Sequence, residues 1–225
     1  AFYSNVEIKA APYGFLTTLT AFAPDAYQAN MAGVVFLGRM LDVMSLQSNI
    51  STSVLNNQQA SPVYKTTTVK RILEKNDFDK AFYESRILIL SEPTYLRALG
   101  WYRKGLYTND PLDKFLAFWI SIETVASKYN PNKNKCSDKG SICHIWECFK
   151  TVWGECDNWK IIKGQTSWID NGNKNRKNIA HGVIPTDIES VTQIEAMNAE
   201  VQQVSRQFLL DWREQLRANV NNELM

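Results

Sequence analysis

The chain contains no long apolar run. Its longest apolar stretches, such as residues 31–37, are soon interrupted by Gly, Arg or Asp, and none approaches the roughly 20 residues that a membrane-spanning helix needs. The first residues also lack the basic and apolar segments of a secretion signal. We therefore expect a cytoplasmic protein with no membrane partner. Because the chain starts at Ala1, we expect it to begin inside a longer reading frame or to have lost a few residues.

Histidine is scarce, and the common nucleotide-binding and hydrolase motifs are missing. The chain has two histidines, His144 and His181. It contains no phosphate-binding loop, no dinucleotide-binding glycine motif, no G-x-S-x-G nucleophile elbow and no H-E-x-x-H zinc motif. These absences remove the main support for a nucleotide hydrolase, a dehydrogenase, a serine hydrolase or a zinc protease. We expect no cofactor.

An excess of charge is also missing. The formal net charge is +2, from 25 Lys and Arg against 23 Asp and Glu. A net charge this small does not mark a nucleic-acid binder, so any RNA contact requires a local cluster of cations. Hydrophobic residues make up 44% of the chain and charged residues 21%. This composition is typical of a folded globular protein and excludes a disordered chain.

The four cysteines lie in one short segment, at positions 136, 143, 148 and 156. They do not form the paired C-x-x-C pattern that makes zinc binding a strong prediction. His144 and Cys148 would share a helix face because they are four residues apart, so a zinc site completed by Cys136 and Cys156 is the alternative. Reduced thiols are the commoner outcome in the cytosol, and we predict neither disulfides nor a metal site.

The first part of the chain combines strand and helix patterns. Alternating segments within residues 6–22, divided by the turn residues 11–14, predict two short strands. Asp25 then begins a helix in which apolar residues recur every three or four positions. The polar stretch 48–61 predicts a loop, and the β-branched residues of 63–73 favour a third strand.

Helix patterns dominate from Pro93 onward. The predicted helices cover residues 93–106, 112–128, 142–153 and 165–181, and a capping box of Thr186 and Glu189 begins a long fifth helix. Residues 112–128 are apolar nearly all round, which is typical of the central helix of a bundle, and Trp119 lies in their middle. The patterns therefore predict an α+β chain, with an N-terminal α/β region over residues 1–91 and a helical bundle over 92–225.

The candidate chemistry lies late in the bundle, in residues 175–182, which read Asn-Arg-Lys-Asn-Ile-Ala-His-Gly. Proteins of the HEPN family (higher eukaryotes and prokaryotes nucleotide-binding) carry an arginine, four to six residues and a histidine at this place. One branch ends the helix in Ile-Ala-His-Gly, as this chain does. The same branch has an earlier aromatic and apolar helix that contains a glutamate, and residues 115–123 match this helix with Glu123 as the glutamate. The chain resembles this branch over about residues 93–217. Catalytic members usually place Asn, Asp or His directly after the arginine, where this chain has Lys177.

The resemblance implies a metal-independent endoribonuclease that acts as a homodimer, as a toxin or antiphage effector. Arg176 and His181 would be catalytic, while Lys174, Lys177 and Asn178 would contact RNA. Cleavage of RNA without a metal needs a base for the 2′-hydroxyl and a cation for the charge that develops on phosphorus. Imidazole suits the first task and guanidinium the second. Residues five apart on a helix point about 140° apart, so two copies would be needed to form the site. DNA lacks the 2′-hydroxyl and is not expected as a substrate.

The same residues also have a structural interpretation. A histidine before a glycine stop can cap the C-terminus of a helix. Arg176 can neutralise Glu123 in the most apolar helix, because a buried charge needs a partner. We therefore predict that Glu123 is buried and paired with Arg176 or another cation. The alternative function is a non-catalytic module that dimerises or binds a nucleotide or a partner.

Overall fold

The computed structural model of the chain describes residues 2–11, 14–54, 73–137, 140–185 and 187–223. Within these ranges one two-stranded antiparallel sheet precedes seven α-helices, which confirms the predicted, mostly helical α+β class. In chain order the elements are β1 Phe2–Ala11, β2 Gly14–Phe22, α1 Ala26–Ser48, α2 Lys75–Ser91, α3 Pro93–Tyr107, α4 Pro111–Tyr129, α5 Gly140–Trp153, α6 Trp168–Ala180 and α7 Ile188–Glu223. Short 3-10 helices cover Lys133–Cys136 and Cys156–Asn158. None of the described helices is both long and apolar enough to cross a membrane.

The chain divides into two compact units, residues 1–86 and 87–225. This division lies within α2, and the predicted boundary lies at residue 91. In the first unit, β1 and β2 pair from Phe2 opposite Phe22 to Ala11 opposite Gly14. Asp25 caps α1, because its carboxylate accepts a hydrogen bond from the Gln28 backbone nitrogen at 2.7 Å.

Helix α2 is the element that the sequence patterns did not predict. Its buried residues Phe78, Ala81, Ser85 and Leu88 recur at helical spacing. The run from 87 to 90, Ile-Leu-Ile-Leu, fits a strand equally well by composition. Short apolar runs of this kind are ambiguous, because their burial depends on what packs against them.

Four predictions fall partly on residues that the structure does not describe. Residues 12–13 of the predicted turn and residues 55–61 of the predicted loop lie outside the described ranges. Residues 63–72 of the predicted third strand and Thr186 of the predicted capping box lie outside the described ranges. At the start of α7, the Ser190 backbone nitrogen donates a hydrogen bond to the Asp187 carboxylate at 2.8 Å. Asp187 therefore provides a carboxylate cap for this helix.

Helix α4 is the centre of the second unit, as its apolar pattern predicts. It packs against α3, α5, α6 and α7. Its residues Phe115, Phe118, Trp119 and Ile122 are fully buried, and burial of each such side chain contributes roughly 1.5–3 kcal/mol. This aromatic core holds the surrounding helices in fixed positions.

The cysteine segment contains a disulfide, so the prediction that no cysteine is paired is wrong. Cys136 in the first 3-10 helix bonds to Cys143 in α5, with their Cα atoms 5.5 Å apart. A spacing of seven residues does not by itself predict this bond. Cys148 and Cys156 are buried thiols. Burial raises the pKa of Cys148 to about 12, which makes it a poor nucleophile at neutral pH.

Candidate functional site

The predicted site residues lie on α6 and at its carboxyl end, and the opposite side of α6 is anchored in the core. The buried residues of α6 are Trp168, Ile169, Gly172 and Asn173. The Trp168 ring lies 5.4 Å from the Trp119 ring between centroids. Trp168 Nε1 donates a hydrogen bond to Glu200 of α7 at 2.7 Å. Because α6 is attached to both α4 and α7, its outer side is a rigid support.

Helix α6 ends where the sequence predicts, at a glycine stop. Gly182 has a φ of 65°, in the left-handed region that glycine adopts without strain. The Gly182 nitrogen donates to the Ile179 carbonyl at 3.0 Å, and the Val183 nitrogen donates to the Asn178 carbonyl at 2.8 Å. This is the Schellman motif, which provides hydrogen-bond donors for carbonyls of the last helical turn that would otherwise have none. His181 is the C-cap residue, and its side chain is exposed.

Lys174, Lys177 and His181 form one stripe along the outer side of α6. Steps of three and four residues keep them within about 60° of each other around the helix axis. All three side chains are exposed. Among the described residues, none of the three has a hydrogen-bond or ion-pair partner for its side chain. The stripe therefore offers two ammonium groups and one imidazole to a ligand.

Asn178, the third predicted RNA contact, is less available than the two lysines. Its side chain is half-buried. Its backbone carbonyl accepts from the nitrogens of both Val183 and Ile184, at 2.8 and 3.3 Å. The residue therefore helps to hold the turn that follows α6.

Arg176 points to the other side of α6 and contacts Glu123 of α4. Arg176 Nε donates to Glu123 Oε2 at 3.2 Å. Glu123 is 9% exposed, whereas 33% of the Arg176 side chain is exposed. These contacts confirm the prediction that Glu123 is buried and paired. Within the described residues the guanidinium has no second side-chain partner, so its terminal nitrogens are available to an anion.

Removing Arg176 should destabilise the protein more than replacing Glu123 with glutamine. We expect Arg176→Ala to lower the free energy of unfolding by about 2 kcal/mol, because it strands a buried carboxylate while the arginine itself is partly solvated. Glu123→Gln should cost about 1 kcal/mol or less, because the amide still accepts a hydrogen bond. Urea unfolding followed by tryptophan fluorescence measures both effects, since all seven tryptophans lie in the second unit.

Lys177→Ala is the matched control for these variants, because it removes a neighbouring cation that is exposed. Its free energy of unfolding should stay within about 0.5 kcal/mol of the parent. Equal losses for Arg176→Ala and Glu123→Gln would contradict the idea that the arginine neutralises a buried acid.

A second polar cluster, which the sequence analysis did not identify, surrounds His144. Its Nδ1 lies 2.8 Å from Asn130 Nδ2. Glu147 is 7% exposed and accepts hydrogen bonds from Lys135 and Asn132. The hydrogen bond from Lys135, and then that from Asn132, holds the pKa of Glu147 below its usual value. These groups satisfy one another and attach the segment after α4 to α5, so the cluster has a structural role.

The described residues include no group of three or more His, Cys, Asp or Glu side chains that could hold a metal ion. The alternative zinc site also loses Cys136, which is bonded to Cys143. No protein-family model, no curated protein and no solved structure matches the chain. The relationship to HEPN proteins therefore stays a prediction that rests on residues 115–123 and 175–182.

Proposed function

We propose that the second unit is a metal-independent endoribonuclease of the HEPN type that acts as a homodimer. One observation carries the proposal: Lys174, Lys177 and His181 form an exposed stripe on α6, and their side chains have no hydrogen-bond or ion-pair partner among the described residues. Ammonium groups attract the phosphates of a nucleic acid. An imidazole at the end of such a stripe can exchange protons with a bound ribose.

The reaction is a transesterification at phosphorus. The ribose 2′-oxygen bonds to the adjacent phosphorus, the bond from phosphorus to the 5′-oxygen breaks, and the products carry a 2′,3′-cyclic phosphate and a 5′-hydroxyl. One proton leaves the 2′-hydroxyl and one reaches the 5′-oxygen, so neither an oxidant nor a metal is required. His181 takes the first proton and the His181 of a second copy supplies the other. Arg176 stabilises the charge that develops on the phosphorus oxygens.

A homodimer belongs to the proposal for a geometric reason. Arg176 and His181 lie on different sides of α6, so one copy does not present both groups to one phosphate. Two exposed aliphatic side chains follow His181 in the chain: Val183 is 65% exposed and Ile188 is 88% exposed. A second copy that covers them would remove apolar area from water and bring a second α6 terminus to the same phosphate.

The test is to incubate the full chain with labelled single-stranded RNA, and separately with DNA of the same sequence, in the presence of EDTA. We expect RNA to be cut and DNA to stay intact, because DNA lacks the attacking hydroxyl. Mass spectrometry should find 2′,3′-cyclic phosphates at the new ends, and light scattering should find a dimer. Cleavage that requires a divalent metal, or that leaves 3′-hydroxyl ends, would refute the mechanism.

A non-catalytic module is the second candidate, and the Arg176–Glu123 pair favours it. An arginine bonded to a buried acid has a sufficient structural reason to be present. Lys177 also replaces the Asn, Asp or His that catalytic HEPN members usually have. In this case the α6 terminus would dimerise or bind a nucleotide or partner without cleavage. A dimer that binds RNA but produces no cyclic phosphate after prolonged incubation would support the non-catalytic module over the nuclease.

The toxin or antiphage role and the cytoplasmic location are also part of the proposal, and they rest on the family resemblance and on RNA as the substrate. Cytosolic reductants keep most protein thiols reduced. The Cys136–Cys143 disulfide is therefore evidence against this location. The α6 stripe contains neither cysteine.

A further inference from the structure

The outward side of α3 concentrates positive charge that the proposed reaction does not use. Among the seven α-helices of the described residues, α3 alone contains no Asp or Glu. It carries three cations, Arg97, Arg103 and Lys104. The chain as a whole has a net charge of only +2, so this surface is a local basic cluster of the kind that an RNA contact requires.

Aromatic rings lie among these cations. The Trp101 ring contacts two of them, with Arg97 Cζ at 5.2 Å and Lys104 Nζ at 5.0 Å from its centroid. Arg103 Cζ lies 5.7 Å from the centroid of the Tyr107 ring. The buried side of α3 is made by other residues, namely Tyr95, Leu96, Ala98, Leu99, Tyr102 and Gly105. The cations and the two rings therefore share the outward side.

Among the described residues, no carboxylate forms an ion pair with either of the two cations beside Trp101. In the described part of the chain, the side chains of Arg97 and Lys104 have no hydrogen bond or ion pair, and each contacts the Trp101 ring. Arg97 is exposed, and Trp101 and Lys104 are half-buried. An exposed cation–π contact is weaker than the stacking of a nucleic-acid base on an aromatic ring. A base can therefore take the place of a cation on the ring, while the cation moves to a phosphate.

We infer that this side of α3 binds single-stranded RNA, with a base stacked on Trp101 and phosphates held by Arg97 and Lys104. Proteins that hold single strands combine cations that follow the backbone with aromatic rings that stack bases. A duplex is disfavoured because its bases are not free to stack on a side chain. The inference rests on the proposed function, which makes RNA the ligand. It adds an RNA-binding surface on α3, whereas the reacting groups lie on α6.

The experiment measures the Kd of a fluorescein-labelled oligouridine for the full chain by fluorescence anisotropy. Trp101→Leu should raise the Kd roughly 5- to 100-fold, because it removes the stacking surface, and Trp101→Phe should recover part of that loss. The double variant Arg97→Ala with Lys104→Ala should also raise the Kd. It should lower the slope of log affinity against log salt by about 1.4, which is about 0.7 for each lost phosphate contact to a single strand.

Matched controls come from α2, which exposes the same residue types but includes acids. Lys80→Ala with Arg86→Ala removes the same charge as the double variant on α3, and Tyr83→Leu removes a ring that is 71% exposed. Both should leave the Kd unchanged. In cleavage assays the α3 variants should raise KM and keep kcat, whereas His181→Ala should lower kcat.

The outcomes separate this inference from the proposed function. If the parent cuts and binds RNA, and the α3 variants bind as tightly as the α2 controls, this inference is wrong and the nuclease proposal stands. If the parent neither cuts nor binds RNA, both are wrong. If the parent binds a polyglutamate peptide in place of oligouridine, and Arg97→Ala with Lys104→Ala abolishes that binding, the surface docks an acidic protein and the RNA inference is overturned.

Discussion

His181→Ala should abolish RNA cleavage and leave the fold intact. The substitution removes the proton acceptor from one copy and the proton donor from the other, and each such group contributes roughly 10²–10⁴-fold to a rate. The fold should tolerate the change because the side chain is exposed. The turn after α6 is held by the backbone bonds of Gly182 and Val183. The loss of a histidine at a helix C-terminus costs only about 0.3–1 kcal/mol.

Single-turnover cleavage of labelled RNA measures this effect, with the Tm and the dimer mass determined on the same samples. His144→Ala is the control, because it removes the only other histidine of the chain. His144 belongs to the polar cluster that has a structural role. It should cut at close to the parent rate. If His181→Ala cuts as fast as the parent, or if the parent is a monomer at working concentration, the nuclease proposal is wrong.

Gly172→Ala should destabilise the second unit more than any other single-methyl change on α6. A Cβ at this position would lie 2.1 Å from Trp119 Cζ3 and 2.4 Å from Cη2, distances that no real Cβ contact shows. The Trp119 ring cannot move aside easily, because it is fully buried between Phe115 and Trp168. Helix α6 must therefore move away from α4. We expect a loss of about 3 kcal/mol, although alanine by itself favours a helix by about 1 kcal/mol over glycine.

Urea unfolding with tryptophan fluorescence measures the loss, and Asn171→Ala is the control at the adjacent, exposed position. The control should stay within about 0.5 kcal/mol of the parent. Gly172→Ala should also slow RNA cleavage, because the displaced helix carries Arg176 and His181. A Gly172→Ala protein that unfolds at the same urea concentration as the parent would show that α6 does not lie this close to Trp119.

Several features of the fold and of the candidate site follow from local patterns, and these could be predicted. The change from alternating to helical periodicity separates the two strands from the helices. Helix α4 is apolar nearly all round, so it could bury its side chains, including Trp119, only at the centre of the bundle. The Arg176–Glu123 pair followed from the rule that a buried carboxylate needs a cation. Gly182 indicated the end of α6 because few other residues adopt its backbone conformation without strain.

The sequence by itself determined the features that depend on neighbours within a few turns of helix or on a general cost of burial. These are the end of α6, the central helix and the need to pair Glu123. Only the tertiary structure decided the Cys136–Cys143 bond, the close approach of Gly172 to Trp119 and the polar cluster around His144. It also decided that α2 is a helix and that the cations of α3 face outward together with Trp101. Each of these depends on a distance or a shared surface between different segments, and periodicity carries no information about such distances because it describes one segment at a time.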